Sequence, residues 1–203
     1  MLVSDRYRCI FVHVQKTAGS SFRSALSLQD PDVYELGGKH AGISELENLP
    51  AGYFRFAFVR NPWERLVSWH QMILEKGRNR KFENINSRFY RMVLSRGKTF
   101  RDFILDCTEE VNENGSIKSI VRNQTEYLLA RDGTLGVDYT GRYEALDDDQ
   151  GAIARRLGVD MEMPHIKQSG DYGSWRQYYT DELAGIVEER FQLDIETFGY
   201  RFE

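Results

Sequence analysis

The fold turns on one stretch, Cys9-Ile10-Phe11-Val12-His13-Val14-Gln15-Lys16-Thr17-Ala18-Gly19-Ser20-Ser21. Ile10 to Val14 read as a short buried strand, and Phe22, Ala25 and Leu26 follow at helical spacing. Between them lies a polar loop of small residues, Gln15 to Ser21. A strand, a small-residue loop and a helix start make an anion cradle. The first amides of a helix lack backbone partners, and the macrodipole puts partial positive charge there. Lys16 adds a full charge, and Thr17, Ser20 and Ser21 add hydroxyls to the amides of Thr17 to Ser21, Ala18 included. Gly19, with no Cβ, lets the backbone come close to a ligand. An ordinary turn with a solvated lysine is the plain alternative. The loop is not a Walker A sequence, in which the lysine follows the glycines; here Lys16 precedes a single glycine.

The chain of 203 residues is long enough for one domain with a substantial core. Its two cysteines, Cys9 and Cys107, suggest no disulfide, since Cys9 opens a buried strand, and a reducing compartment fits. No apolar stretch approaches the roughly 20 residues of a membrane span, and Met1 to Arg8 has no apolar signal region. The net charge of −4 is unevenly spread: residues 76–101 hold nine basic residues and one acidic, residues 144–203 fourteen acidic and six basic. The basic block either faces an anionic ligand or is a solvated surface.

Tyr53 to Arg60, rich in aromatic and branched residues, reads as a second strong strand. It runs into Asn61-Pro62-Trp63-Glu64, a helix start with Asn61 as N-cap and Pro62 at the first helical position. Trp63, Leu66, Val67, His70, Ile73 and Leu74 share a face, and Gly77 is a plausible stop. Weaker readings are a strand at 33–36, a short helix at 43–49, helices at 88–94, 100–107, 123–129 and 147–157, and a strand at 139–143. A polar loop is expected at 109–116, a flexible one at 170–174, and a last helix capped by Thr180 with Leu183, Val187 and Phe191 on one side. Alternating strands and helices argue for an α/β fold with a central parallel sheet and crossover helices.

Two stretches carry a family resemblance. His13-Val14-Gln15-Lys16-Thr17-Ala18-Gly19-Ser20-Ser21 resembles the 5′-phosphosulfate loop of carbohydrate sulfotransferases, the heparan sulfate 2-O/6-O-like group. Phe58-Val59-Arg60-Asn61-Pro62-Trp63-Glu64-Arg65-Leu66-Val67-Ser68 is similar to the same family's 3′-phosphate motif. A well-capped structural helix with surface arginines is the alternative for the second. Similarity continues at 123–128, 141–144, 163–169, 178–182 and 194–202, though only the first two motifs are specific.

The resemblance implies a P-loop-NTPase-like three-layer fold in a single sulfotransferase domain, 1–203. It implies sulfuryl transfer from 3′-phosphoadenosine 5′-phosphosulfate (PAPS, giving PAP) to a hydroxyl, with no metal. Lys16 to Ser21 would hold the phosphosulfate and stabilise the leaving group, and Arg60 and Ser68 the 3′-phosphate. By placement alone, Lys167, Ser169 and Ser174 are expected to reach the 3′-phosphate or adenine from a loop, and Trp63 or another aromatic to stack on adenine. His40, after the strand at 33–36, would be the general base, with Glu35 and Glu45 as rivals. His13 reads as core-facing or loop-supporting, His70 as packed, and His165 as a weak binding candidate. The expected partner is a glycan or glycolipid, not nucleic acid. The family's animal members carry an N-terminal anchor. This chain reads either as a bacterial cytoplasmic enzyme or as a form whose anchor was removed. A nucleotide kinase and a non-catalytic nucleotide-binding module are the alternatives.

Overall fold

A computed structural model describes residues 1–79, 87–109, 112–113, 116–117, 120–160 and 173–203, with backbone alone at 112–113 and 116–117. The chain divides into two compact units, Met1–Arg60 with Asn123–Lys167, and Asn61–Arg122 with Gln168–Glu203. Among the described residues no helix is long and apolar enough to cross a membrane.

The first unit is built on a five-stranded sheet. Its strands are β1 (Leu2–Ser4), β2 (Cys9–Val12), β3 (Tyr34–Glu35), β4 (Phe54–Val59) and, numbered in chain order, β7 (Tyr139–Arg142). The spatial order is β3-β1-β2-β4-β7. β2, β4 and β7 are parallel neighbours, with Phe11 beside Phe56 and Phe58 beside Gly141. β1 runs antiparallel to both β2 and β3. The sheet therefore has the central parallel strands expected, with one reversed strand, β1, beside them. The chain turns back at residues 5–8, too few for the crossover a parallel neighbour requires.

Helices α1 (Gly19–Gln29) and α6 (Leu146–Leu157) share one face of this sheet. Phe22, Ala25 and Leu26 of α1 and Ile153 and Ala154 of α6 bury against Phe11, Phe56 and Phe58. Phe11, Phe22, Phe56 and Phe58 form one ring cluster with centroids 4.7–6.3 Å apart. Gly141 leaves room for it: a Cβ there would stand 2.7 Å from the Phe58 ring. Cys9 is fully buried in this core, which pushes its thiol up to about 12. α6 starts on Asp147, Asp148 and Asp149, which complement the helix dipole. Asp149 also accepts from the Tyr139 hydroxyl (2.5 Å) and the Arg142 amide (2.6 Å), tying α6 to β7. The expected helix at 43–49 shortens to one 3₁₀ turn, Ile43–Glu45.

Among the described residues the second unit is helical apart from one antiparallel strand pair. It holds α2 (Pro62–Asn79), α3 (Arg88–Arg96), α4 (Phe100–Cys107), α7 (Asp181–Arg190) and α8 (Gln192–Phe198). Asn61 caps α2, its side-chain oxygen accepting from the Trp63 and Glu64 amides at 3.0 and 3.3 Å. Thr99 and Thr180 cap α4 and α7 in the same way. Gly77 does not stop α2, which continues through Asn79. Its missing Cβ instead makes space for Leu94 of α3, whose Cδ2 would lie 2.4 Å away. Within the expected loop at 109–116 the backbone pairs β5 (Asn112–Glu113) with β6 (Ser116–Ile117). The last helix breaks at Phe191 into α7 and α8.

Candidate functional site

The loop after β2 has an unusual backbone. Lys16 and Ala18 both adopt left-handed conformations, with φ of 71° and 63°. Each left-handed non-glycine residue costs on the order of 1 kcal/mol, so surrounding contacts must hold it there. The fully buried Thr17 between them donates its hydroxyl to the Val14 carbonyl at 3.0 Å. That hydroxyl was expected to face a ligand; it is used instead to close the turn. The Ala18 carbonyl accepts from the amides of Ser21 (2.9 Å) and Phe22 (3.2 Å), starting α1 without a side-chain cap. Among the described residues the amides of Thr17, Ala18, Gly19 and Ser20 make no hydrogen bond. Left-handed residues alternating along a loop turn successive N–H groups inward, and these four also sit at the positive end of α1. The result is a loop whose amides are placed as an oxyanion cradle would need them, with Lys16 as its basic residue.

Beneath the cradle lie two histidines. His13 is 4 % exposed, and its ring occupies the space a Cβ on Gly19 would need, 2.1 Å from that position. Gly19 is thus required by the packing below the loop, not only by a ligand above it. Burial, aided by the neighbouring His40, pushes His13 down to about 2, so it is neutral at ordinary pH. Folding requires this neutrality while the unfolded chain protonates near 6.5. The unfolded state therefore binds more protons below that value, and stability falls with pH. His13 alone should remove about 1.4 kcal/mol per pH unit below about 6.5. Urea unfolding at pH 6.5, 5.5 and 5.0 should show a steeper loss for wild type than for His13→Gln; equal slopes would refute the buried neutral histidine.

His40 packs its ring edge-on against His13, with centroids 4.5 Å apart. Its Nδ1 lies 2.8 Å from the His13 carbonyl. A carbonyl only accepts, so Nδ1 carries the proton and the neutral ring keeps its lone pair on Nε2. Burial holds His40 below the ordinary histidine value, the bond to His13 working against it. The ring is half-buried and available as a base. Of the rival bases, Glu35 is ion-paired with Arg23 of α1, whereas Glu45 is exposed on the 3₁₀ turn.

Arg60 follows β4 and reaches the same loop. It is 2 % exposed, and its Nη1 donates to the Lys16 carbonyl at 3.3 Å. Its guanidinium carbon sits 3.8 Å from the centroid of Tyr143, a close cation–π contact. The buried Gln124 clamps the Arg60 backbone, accepting from its amide (2.9 Å) and donating to its carbonyl (2.7 Å). Gln124 sits on α5 (Gln124–Leu128), which begins with an Asn123–Glu126 capping box. Sequence reasoning gave Gln124 and Tyr143 no role. The signal lay in the stretches 123–128 and 141–144, where the resemblance continued without an assignment.

The other described candidates belong to the second unit. Ser68 is fully buried in α2 of the second unit. Trp63 cannot stack on a ligand: it is 1 % exposed and donates its indole N–H to the Ala184 carbonyl at 3.0 Å. Arg65, 1 % exposed, donates to the Arg122 carbonyl at 3.2 Å. His70 packs on Phe100 and Phe103 and bonds the Gly97 carbonyl at 2.9 Å. Ser174 is exposed before the short 3₁₀ helix Trp175–Tyr178. Lys167, Ser169 and His165 lie outside the described residues. Among the described residues no group of His, Cys, Asp and Glu converges as metal ligands would.

A strand, a left-handed loop and a helix start on a largely parallel α/β sheet form an arrangement suited to phosphate-like anions. The comparison with known families is more specific. Residues 1–201 match the model of the Sulfotransferase family, and the chain belongs to that family. Carbohydrate sulfotransferase 14 of Danio rerio is 26% identical over 238 residues, covering 98% of this chain and 62% of that protein. Carbohydrate sulfotransferase 12 of Xenopus laevis is 26% identical over 178 residues, covering 73% of this chain and 40% of that protein. The chain thus spans under two thirds of the length of either relative. No solved structure gives a significant match.

Proposed function

We propose that the protein moves a sulfuryl group from PAPS to a hydroxyl of a carbohydrate, by in-line displacement with His40 as general base. The two units together would form the single sulfotransferase domain, 1–203. The observation that carries this reading is the loop: four open amides and Lys16 form an oxyanion cradle above a histidine whose Nε2 is free to take a proton. PAPS supplies the activated sulfuryl group. The amides of Thr17 to Ser20 and the Lys16 ammonium would bind the phosphosulfate oxygens and take up charge as the bond from sulfur to the bridging phosphate oxygen breaks. His40 Nε2 would receive the acceptor's proton as the new S–O bond forms. Fixed donors aimed at the leaving group do most of the work in such a transfer.

The assignment of Arg60, Ser68, Lys167 and Ser169 to the 3′ end of the nucleotide is kept within this proposal on the sequence reading alone. Arg60 would in addition brace the Lys16 carbonyl, and so the left-handed loop. The acceptor is a glycan or glycolipid hydroxyl.

PAP without magnesium should raise the melting temperature. A concentration of 100 times Kd corresponds to about 2.7 kcal/mol of stabilisation. Lys16→Ala should lose most of that shift while melting normally without ligand. A shift requiring ATP and magnesium would favour a nucleotide kinase. A PAP shift with no transfer from labelled PAPS to any of a panel of glycans would favour a binding module.

A further inference from the structure

A second constellation lies at the other end of the first unit's sheet. β2 and β4 run parallel, so Arg8 and Tyr53, which precede them, sit at the strand ends away from the 13–18 loop. A cavity of about 520 Å³ opens there, lined among others by Tyr7, Arg8, Tyr53, Phe54, Asp138 and Arg156. That volume lies within the range of about 300–1,000 Å³ typical of small-ligand sites.

The three aromatic side chains are held in place by their own contacts. The Tyr53 hydroxyl donates to the Asp5 carboxylate at 2.8 Å, and the Tyr7 hydroxyl to the Gln29 carbonyl at 3.3 Å. Phe54 stacks on Phe56 with centroids 5.3 Å apart. Three cations lie against these rings: Arg6 at 5.3 Å from the Tyr7 centroid, Arg8 at 5.4 Å from Tyr53 and Arg156 at 5.6 Å from Phe54. Arg8 and Arg156 line the cavity, and among the described residues neither has a carboxylate partner. Asp138, the acid of the cavity, accepts the Arg55 amide at 2.7 Å. Fixed rings suit the apolar C–H faces of pyranoses. Guanidiniums held over rings keep their N–H edges for a carboxylate or a sulfate ester, which they grip in a fork.

From this arrangement we infer that the cavity is a second saccharide site, which takes a uronate- or sulfate-bearing segment of a glycan chain at a distance from the transfer loop. The choice of a glycan rests on the carbohydrate reading above; the binding itself does not need turnover. A neutral sugar would leave both guanidiniums unmatched, and an acidic peptide would match them without using the rings.

Calorimetric titration of the full chain with a size-defined tetrasaccharide carrying uronate and sulfate groups tests this, in saturating PAP so that the loop is filled. Binding should persist with PAP present. Arg8→Asn combined with Arg156→Gln should weaken it tenfold or more, asparagine being chosen because it tolerates the left-handed φ of 47° at Arg8. Arg201→Gln, on an exposed residue of the second unit, should leave it unchanged. Melting temperatures and the Arg156→Gln single variant guard against a folding defect in the double variant. Wild-type affinity in the double variant overturns the inference. So does equal binding of a desulfated, carboxyl-reduced tetrasaccharide, or tighter binding of an acidic peptide of equal charge. A protein inactive toward PAPS would still show this binding, and one lacking the site would still transfer to a short acceptor, so the two proposals fail separately.

Discussion

His40→Ala should slow sulfuryl transfer about 10²- to 10⁴-fold, the usual worth of a positioned general base, while PAP still binds and stabilises. The separation follows from the geometry. His40 is tied through Nδ1 to a backbone carbonyl and contributes no described contact to the four amides or Lys16 that form the cradle. Its loss removes the proton acceptor and leaves the anion site standing. The pH profile carries the sign. In the proposed mechanism the working form is the neutral ring, and burial lowers the His40 value from the ordinary 6.5. The rate should therefore be flat through neutrality and fall on the acid side, with its midpoint below pH 6.5. Glu35→Gln should change the rate little, because that carboxylate is already paired with Arg23. A His40→Ala enzyme within threefold of wild type, or an acid limb centred above pH 7, would remove His40 from the mechanism.

The local signals in the chain read well where one cause dominates. Asn61-Pro62 starts α2 and Thr180 starts α7, because a side-chain oxygen meeting free amides is a contest settled within four residues. Strand β4 was legible from its aromatic and branched residues, and the helix at 146–157 from the aspartates in its first turn. What failed depended on distant partners. Leu2–Ser4 is too short to signal a strand and becomes one through pairing with β2 and β3. Gly77 looks like a stop, yet it is a contact point for Leu94, which no local pattern reveals. Trp63 looked like a ligand platform until Ala184, far along the chain, claimed its N–H.

The candidate site divides along the same line. Its charge and small residues, Lys16 to Ser21 with Arg60, stand in the sequence as motifs. Its rigidity does not. The left-handed Lys16 and Ala18, the Thr17 hydroxyl turned inward, the Gln124 clamp and the Tyr143 face under Arg60 are all products of packing.

Gly19→Ala should be strongly destabilising, its added Cβ making the closest contact of any glycine among the described residues. The new Cβ would stand 2.1 Å from Cδ2 and 2.2 Å from Nε2 of His13. Neither can yield cheaply: His13 is 4 % exposed, with the Phe11 ring 5.5 Å away on one side and His40 4.5 Å away on another. Overpacking of this kind costs about 3 kcal/mol, which in a chain of this size lowers the melting temperature by roughly 6–12 °C. The clash should also push the loop or His40 out of place, so both PAP binding and transfer should fall. A general softening of the helix start would have the same first symptoms, and a second substitution separates the causes. With His13→Ala the obstructing ring is gone, and adding Gly19→Ala to it should cost under about 1 kcal/mol, a strong non-additivity of neighbouring sites. If Gly19→Ala costs as much in the His13→Ala background as in the wild type, the glycine is needed for its backbone and not for the room it leaves the histidine. The coupling of cradle and base through His13 would then be lost with it.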